Sequence, residues 1–355
     1  MAQDPQVDLI FSHFIPRYVA TGVDPNDLQR MMKRIDVWSD WCRVWSEEAR
    51  LHENHAAASA ALGRRATAAE SYLRAAIYYH YGKHLFANPP EEFRAAHDNM
   101  LRCYSAAAAD TDPPMQRLTF AFHGAELVGW LRVPRGARRP PVAIILPGLD
   151  ACKEELHAWT DAFLKRGLAT VTLDGPGQGE TAFVMPISTD WGGAIGAVID
   201  VLEKRSDVDA NAVGIVGQSL GAFYAPLAAA GEPRIKACIA NCGPFDFAPV
   251  IAQMPEVSKQ VFRARSHATS QAQADAVAKT LTLEGKAQDI RCPLLIVFGG
   301  NDKLVPPSEG ERLKRAAGGP TEFVVYEDGN HVCFNISYKF RPLTGDWMAE
   351  QLGKG

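Results

Sequence analysis

The stretch "AVGIVGQSLGAFYAP", residues 212–226, decides the reading of this chain. A buried apolar run leads into Gly-x-Ser-x-Gly and then into small helix-forming residues. That strand-turn-helix context lifts the pentapeptide above chance, because a strained turn there projects Ser219 out of the end of a sheet. A serine hydroxyl is a poor nucleophile until a neutral imidazole takes its proton, and the imidazole in turn needs a carboxylate to hold its tautomer. The stretch therefore predicts two partners further along.

Both are present. "LLIVFGGNDKLVPP" places Asp302 just past an apolar strand, and "FVVYEDGNHVCF" places His331 in the loop after the next one. Each has a plainer reading, Asp302 as a cap for a helix starting near Pro307 and His331 as a satisfied loop histidine. Three matches in the order Ser, Asp, His at strand ends favour the catalytic one. Asp246, after the preceding strand, is the rival acid; Asp328 is too near His331 in sequence to orient it. A developing oxyanion needs donors. The backbone N–H of Leu220 supplies one, and "LPGLDACKEE" supplies the other through Leu149, with Asp150 as second choice. "LDGPGQGE" lacks the Lys-Ser/Thr ending of a phosphate loop and the spacing of a dinucleotide fingerprint, so it reads as a tight strand-end turn beside the site.

The rest of the chain supplies the frame. At 355 residues it suits two domains or one with a large insertion. Up to about residue 110 apolar residues recur at helical spacing, and Trp38, Trp41 and Trp45 fall on one face as a helix–helix seam. After "ADTDPPMQ" short β-branched runs alternate with helices, beginning with a hairpin around His123-Gly124. This predicts an α/β fold, a mainly parallel sheet with helices on both faces, in residues 113–355, preceded by a helical domain in 1–112.

A net charge of −4 argues against nucleic acid or an anionic membrane as partner, and no segment approaches the ~18 apolar residues of a spanning helix. The start lacks a basic leader with an apolar run. Seven scattered cysteines, the nearest pair being Cys238 and Cys242, suggest reduced thiols in a cytoplasm. No metal and no cofactor is expected, and the partner is a small-molecule substrate.

From about residue 113 onward, "GQSLG", "GGNDKLVP" and "DGNH" resemble the α/β-hydrolases. More narrowly, "PGLDACKEE", "DGPGQGE", "GQSLGAFYAPLAAAGEPRIKACIANCG" and "DGNHVCFN", with the helical "WSDWCRVWSEEA" and "RAAIYYHYGKHLF", resemble the 2,6-dihydroxypseudooxynicotine hydrolase group, which includes fungal polyketide-shortening hydrolases. The resemblance implies a helical lid over the active site, cleavage of a carbon–carbon bond beside a ketone, and a homodimer through the helical half. It puts the nucleophile on Ser219, the acid on Asp302 and the base on His331. It also implies an acidic residue after "CGPFDF", where this chain has Gln253. A lid contributes pocket walls, and His80 and Tyr81 are the residues expected to touch substrate. The alternatives are a carboxylesterase or thioesterase on the same scaffold, and an idle hydrolase fold serving as a receptor.

Overall fold

The computed structural model describes residues 4–86 and 90–353. The chain forms two compact units, Met1–Gln116 and Arg117–Gly355.

The first unit is helical: α1 (Pro5–Ala20), α2 (Pro25–Met32), α3 (Trp41–Ala61), α4 (Arg65–Lys83) and α5 (Pro90–Ala107). Aspartates open the first two. Asp4 accepts from the Gln6 N–H and Asp24 from the Asn26 N–H, each followed by a proline whose missing N–H costs nothing in the first turn. Trp41 and Trp45 are wholly buried and pack on Tyr18, and the Trp41 indole donates to the Tyr81 carbonyl at 2.8 Å. Trp38 departs from the predicted seam: it lies in a short 3-10 turn ahead of α3 and is only half-buried, because the chain changes direction between it and Trp41.

The second unit is built on an eight-stranded sheet of order β1-β2-β4-β3-β5-β6-β7-β8. The strands are β1 (Met115–Phe122), β2 (Ala125–Arg132), β3 (Pro141–Leu146), β4 (Ala169–Asp174), β5 (Asp209–Gln218), β6 (Ile235–Asn241), β7 (Leu294–Gly299) and β8 (Thr321–Tyr326). β1 and β2 turn at His123-Gly124, both with positive φ, as a two-residue hairpin requires. β2 runs antiparallel to β4, and β3 to β8 are parallel throughout. β3 and β7 are apolar and buried almost end to end, and β4 is buried throughout, the pattern of strands covered on both faces. The helices packed on the sheet are α6 (His157–Leu164), α7 (Trp191–Leu202), α8 (Gly221–Gly231), α12 (Pro307–Ala316) and α13 (Ser337–Leu352), while α9 (Phe247–Gln253), α10 (Glu256–Arg265) and α11 (Gln271–Thr280) pack on one another between β6 and β7 in sequence. Among the described residues no helix is long and apolar enough to cross a membrane.

In such a sheet the carboxyl ends of the parallel strands open into loops whose backbone groups are not spent on the ladder. Binding and chemistry collect there. Ser219 follows β5, Asp302 follows β7 and His331 follows β8.

Candidate active site

Ser219 sits between β5 and α8 with φ of +53°, a left-handed conformation that costs a non-glycine residue energy. The turn is this tight because β5 must enter α8 at once, and its two glycines make that possible. A Cβ on Gly217 would lie 1.9 Å from the Gly221 carbonyl oxygen, and one on Gly221 would lie 2.5 Å from the carbonyl oxygens of Leu146 and Pro147. No side chain fits either place.

His331 connects the other two residues. Its Nε2 lies 2.9 Å from the Ser219 Oγ, and its Nδ1 lies 2.7 Å from the Asp302 Oδ2. The other Asp302 oxygen accepts from the backbone N–H groups of Leu304 and Val305, both at 2.9 Å. Burial pushes the Asp302 carboxyl up; the charge and hydrogen bond of His331 and those two N–H groups outweigh it and hold the acid below its ordinary value. Asp302 is thus an anion aimed at an imidazole aimed at a hydroxyl, a path along which a proton can leave Ser219.

The rival acids are engaged elsewhere. Asp246 is held by Arg312 and Thr282, and Asp328 pairs with Lys339 at the surface.

Gly148 brings the loop after β3 against the nucleophile: a Cβ there would come within 3.1 Å of the Ser219 Cβ. Among the described residues, neither the Leu220 nor the Leu149 backbone N–H donates to a protein acceptor. Leu220 is buried ahead of α8, and Leu149 is half-exposed in the loop.

The remaining expected residues are engaged with neighbours of their own. Tyr81 is in the core of the helical unit, its hydroxyl 2.6 Å from the Thr21 Oγ1 and its ring against Tyr18 and Trp45. His80 is wholly buried beside Tyr81 and His84. Gln253 ends α9, is exposed, and its side-chain amide returns to the Pro249 carbonyl.

Sequence spacing suggested Cys238 and Cys242 as the nearest thiol pair. The fold instead sets Cys242 beside Cys333 and brings the Cys242 Sγ close to Asp302 and His331. Left-handed φ values at Cys242, Val332 and Cys333 fold the two loops against each other there. Nothing in the spacing of these cysteines announces that meeting.

A family model described as "Esterase FrsA-like" matches residues 21–321. The chain belongs to the FrsA-like esterase family. It is 30% identical over 342 residues to the 2,6-dihydropseudooxynicotine hydrolase of Paenarthrobacter nicotinovorans, covering 96% of this chain and 92% of that one. The crystal structure of a 2,6-dihydroxy-pseudo-oxynicotine hydrolase superposes with a TM-score of 0.87 over 95% of each chain, also at 30% identity. The chain is 32% identical over 220 residues to the 20-hydroxy-prefusarin hydrolase of Gibberella moniliformis, of which it spans about half the length (52%). The FrsA-like chain is therefore an α/β-hydrolase with an N-terminal helical region, and it is an enzyme of the hydrolase class.

Proposed function

We propose that this enzyme is a serine hydrolase that cleaves a carbon–carbon bond next to a ketone in an aromatic or polyketide-like small molecule. The observation that carries the reading is His331 bridging Ser219 at 2.9 Å and Asp302 at 2.7 Å.

Ser219 Oγ adds to the carbonyl carbon as His331 Nε2 takes its proton, and Asp302 stabilises the imidazolium. The carbonyl oxygen becomes an oxyanion held by the N–H groups of Leu220 and Leu149. Collapse of the tetrahedral species breaks the bond to the leaving group, to which His331 returns the proton. Water, activated by the same histidine, then releases the acid and restores Ser219. A carbon leaving group departs easily only when its charge is delocalised, as in the enolate of a β-diketone, and that limits the substrate class.

Support for the ketone substrate comes from the full-length similarity to a pseudooxynicotine hydrolase. The esterase description of the family favours a second reading, a carboxylesterase using the same steps with an alkoxide leaving group.

Two measurements test the proposal. A serine-directed fluorophosphonate labels the wild type, labels Ser188→Ala equally and leaves Ser219→Ala unlabelled; a wild type that does not label sinks the relay. Steady-state hydrolysis of an aryl β-diketone and a short aryl ester then separates the two readings. Serine-dependent diketone cleavage supports the first, and ester turnover without it supports the second.

A further inference from the structure

The loop that carries Leu149 is tied down at both ends by one structure, the turn after β4. At its start, the Pro147 carbonyl accepts from the Gln178 Nε2 at 2.6 Å, and the Gln178 Oε1 takes the Gly175 N–H at 3.1 Å. At its end, the Lys153 backbone N–H donates to the Asp174 Oδ1 at 2.8 Å and the Lys153 ammonium reaches the Asp174 Oδ2 at 2.9 Å. Asp174 also fixes its own turn: Oδ2 accepts the Glu180 N–H and its carbonyl accepts the Thr181 hydroxyl. Lys153 is wholly buried, and Glu154 and Glu180 approach the same ammonium at 2.8 and 2.6 Å. Burial alone would lower the affinity of that amine for its proton, but the three carboxylates raise it well above the usual value. Arg117 pairs with Glu180, and buried Arg265 adds positive potential near Asp174.

An ion cluster of this kind is a poor source of stability, since desolvation offsets most of the attraction and apolar replacements often do as well. What it supplies is fixed geometry. A seven-residue loop held at Pro147 and Lys153 has little freedom to move the amide between them, and oxyanion stabilisation depends on donors set in place before charge develops. Displacement by about 1 Å is enough to cost a large factor in rate.

We infer that Gln178 and Lys153, with Asp174, are positioning residues that hold the 147–153 loop so that the Leu149 N–H meets the oxyanion. This deepens the serine-hydrolase proposal and rests on it.

The test compares wild type, Gln178→Met and the charge-balanced Lys153→Met/Glu154→Gln on a short aryl ester, with a trifluoromethyl ketone as an inhibitor that binds as an oxyanion. Gln178→Met removes no charge and gives a folded protein by circular dichroism and melting temperature. Its expected behaviour is a kcat lower by about 10- to 100-fold, part of the ~10²–10³ that a whole donor is worth. KM stays within about twofold, because the ground state does not use the oxyanion donor, and the inhibition constant of the ketone rises by the same factor as kcat falls. The double variant shows the same split. A merely structural role would lower the melting temperature and the active fraction without that proportionality. Undiminished kcat in Gln178→Met, or a fall in kcat with ketone affinity intact, overturns the inference. A wild type that neither turns over ester nor labels with fluorophosphonate removes the parent proposal and this one with it.

Discussion

Asp302 shows what a single residue must satisfy here. It is buried, an expensive place for a charge, and it stays ionised because His331, Leu304 and Val305 supply three hydrogen bonds to its two oxygens. Asp302→Asn keeps the shape and presents an amide that favours the wrong imidazole tautomer, so kcat should fall by about 10³–10⁴ with KM little changed. Steady-state kinetics on the aryl ester checks this; a loss below tenfold would return the role to another acid. The same carboxylate makes a pH prediction. Its folded pKa lies below the ordinary 3.8, so its contribution to stability is present above 3.8 and is lost as pH falls through the lower folded value. The melting-temperature gap between wild type and Asp302→Asn should close as pH falls below 3.8. Ser219, Asp302 and His331 were legible from order and strand-end position alone. Gln178 and Lys153 were not, because a glutamine in a glycine-rich turn and a "KEE" run look like solvated loop until the fold buries them.

At the scale of elements, all eight strands are foreshadowed by short β-branched or aromatic runs, the central ones most plainly because strands buried on both faces are apolar along most of their length. The helical unit is legible in kind but less so in detail. Trp38 breaks the predicted face because periodicity cannot register a 3-10 turn between neighbouring tryptophans. What joins these helices is partly polar. Asp27 on α2 accepts from Tyr78 of α4 at 2.6 Å and His52 of α3 at 2.8 Å and is bridged by Arg30, which also reaches Glu48. One carboxylate thus links three helices, and its pKa is held down by these partners against the opposing effect of burial. Asp27→Ala strands the Tyr78 hydroxyl and releases Arg30, at an expected cost of about 2–3 kcal/mol, and Tyr78→Phe costs about 1 kcal/mol. Urea unfolding measures both. Equal costs for the two would mean that the carboxylate is doing no more than one hydrogen bond.

Across the whole molecule, the cysteines report how completely the two units bury their interiors. All seven are free thiols, and six of them are buried, with Cys292 the half-exposed exception. Burial raises the Cys42 and Cys292 thiols to about 11 and the Cys103 thiol to about 12, and drives Cys238 and Cys242 well above the ordinary thiol value. The thiolate is the reactive form, so at pH 8 a thiol of pKa 11 is ionised about one part in a thousand. Cys242, next to the Asp302–His331 pair, is shielded by burial and by its raised pKa, and Cys333 is shielded by burial. An aromatic disulfide reagent at pH 8 should therefore modify Cys292 slowly, leave the other six unreacted in the native enzyme, and titrate all seven in denaturant. The Cys292→Ser variant should lose the native phase and keep fluorophosphonate labelling of Ser219. Rapid native modification of two or more thiols would show that one unit opens on the timescale of the assay. Loss of labelling in step with the second thiol would locate that opening at Cys242 and Cys333.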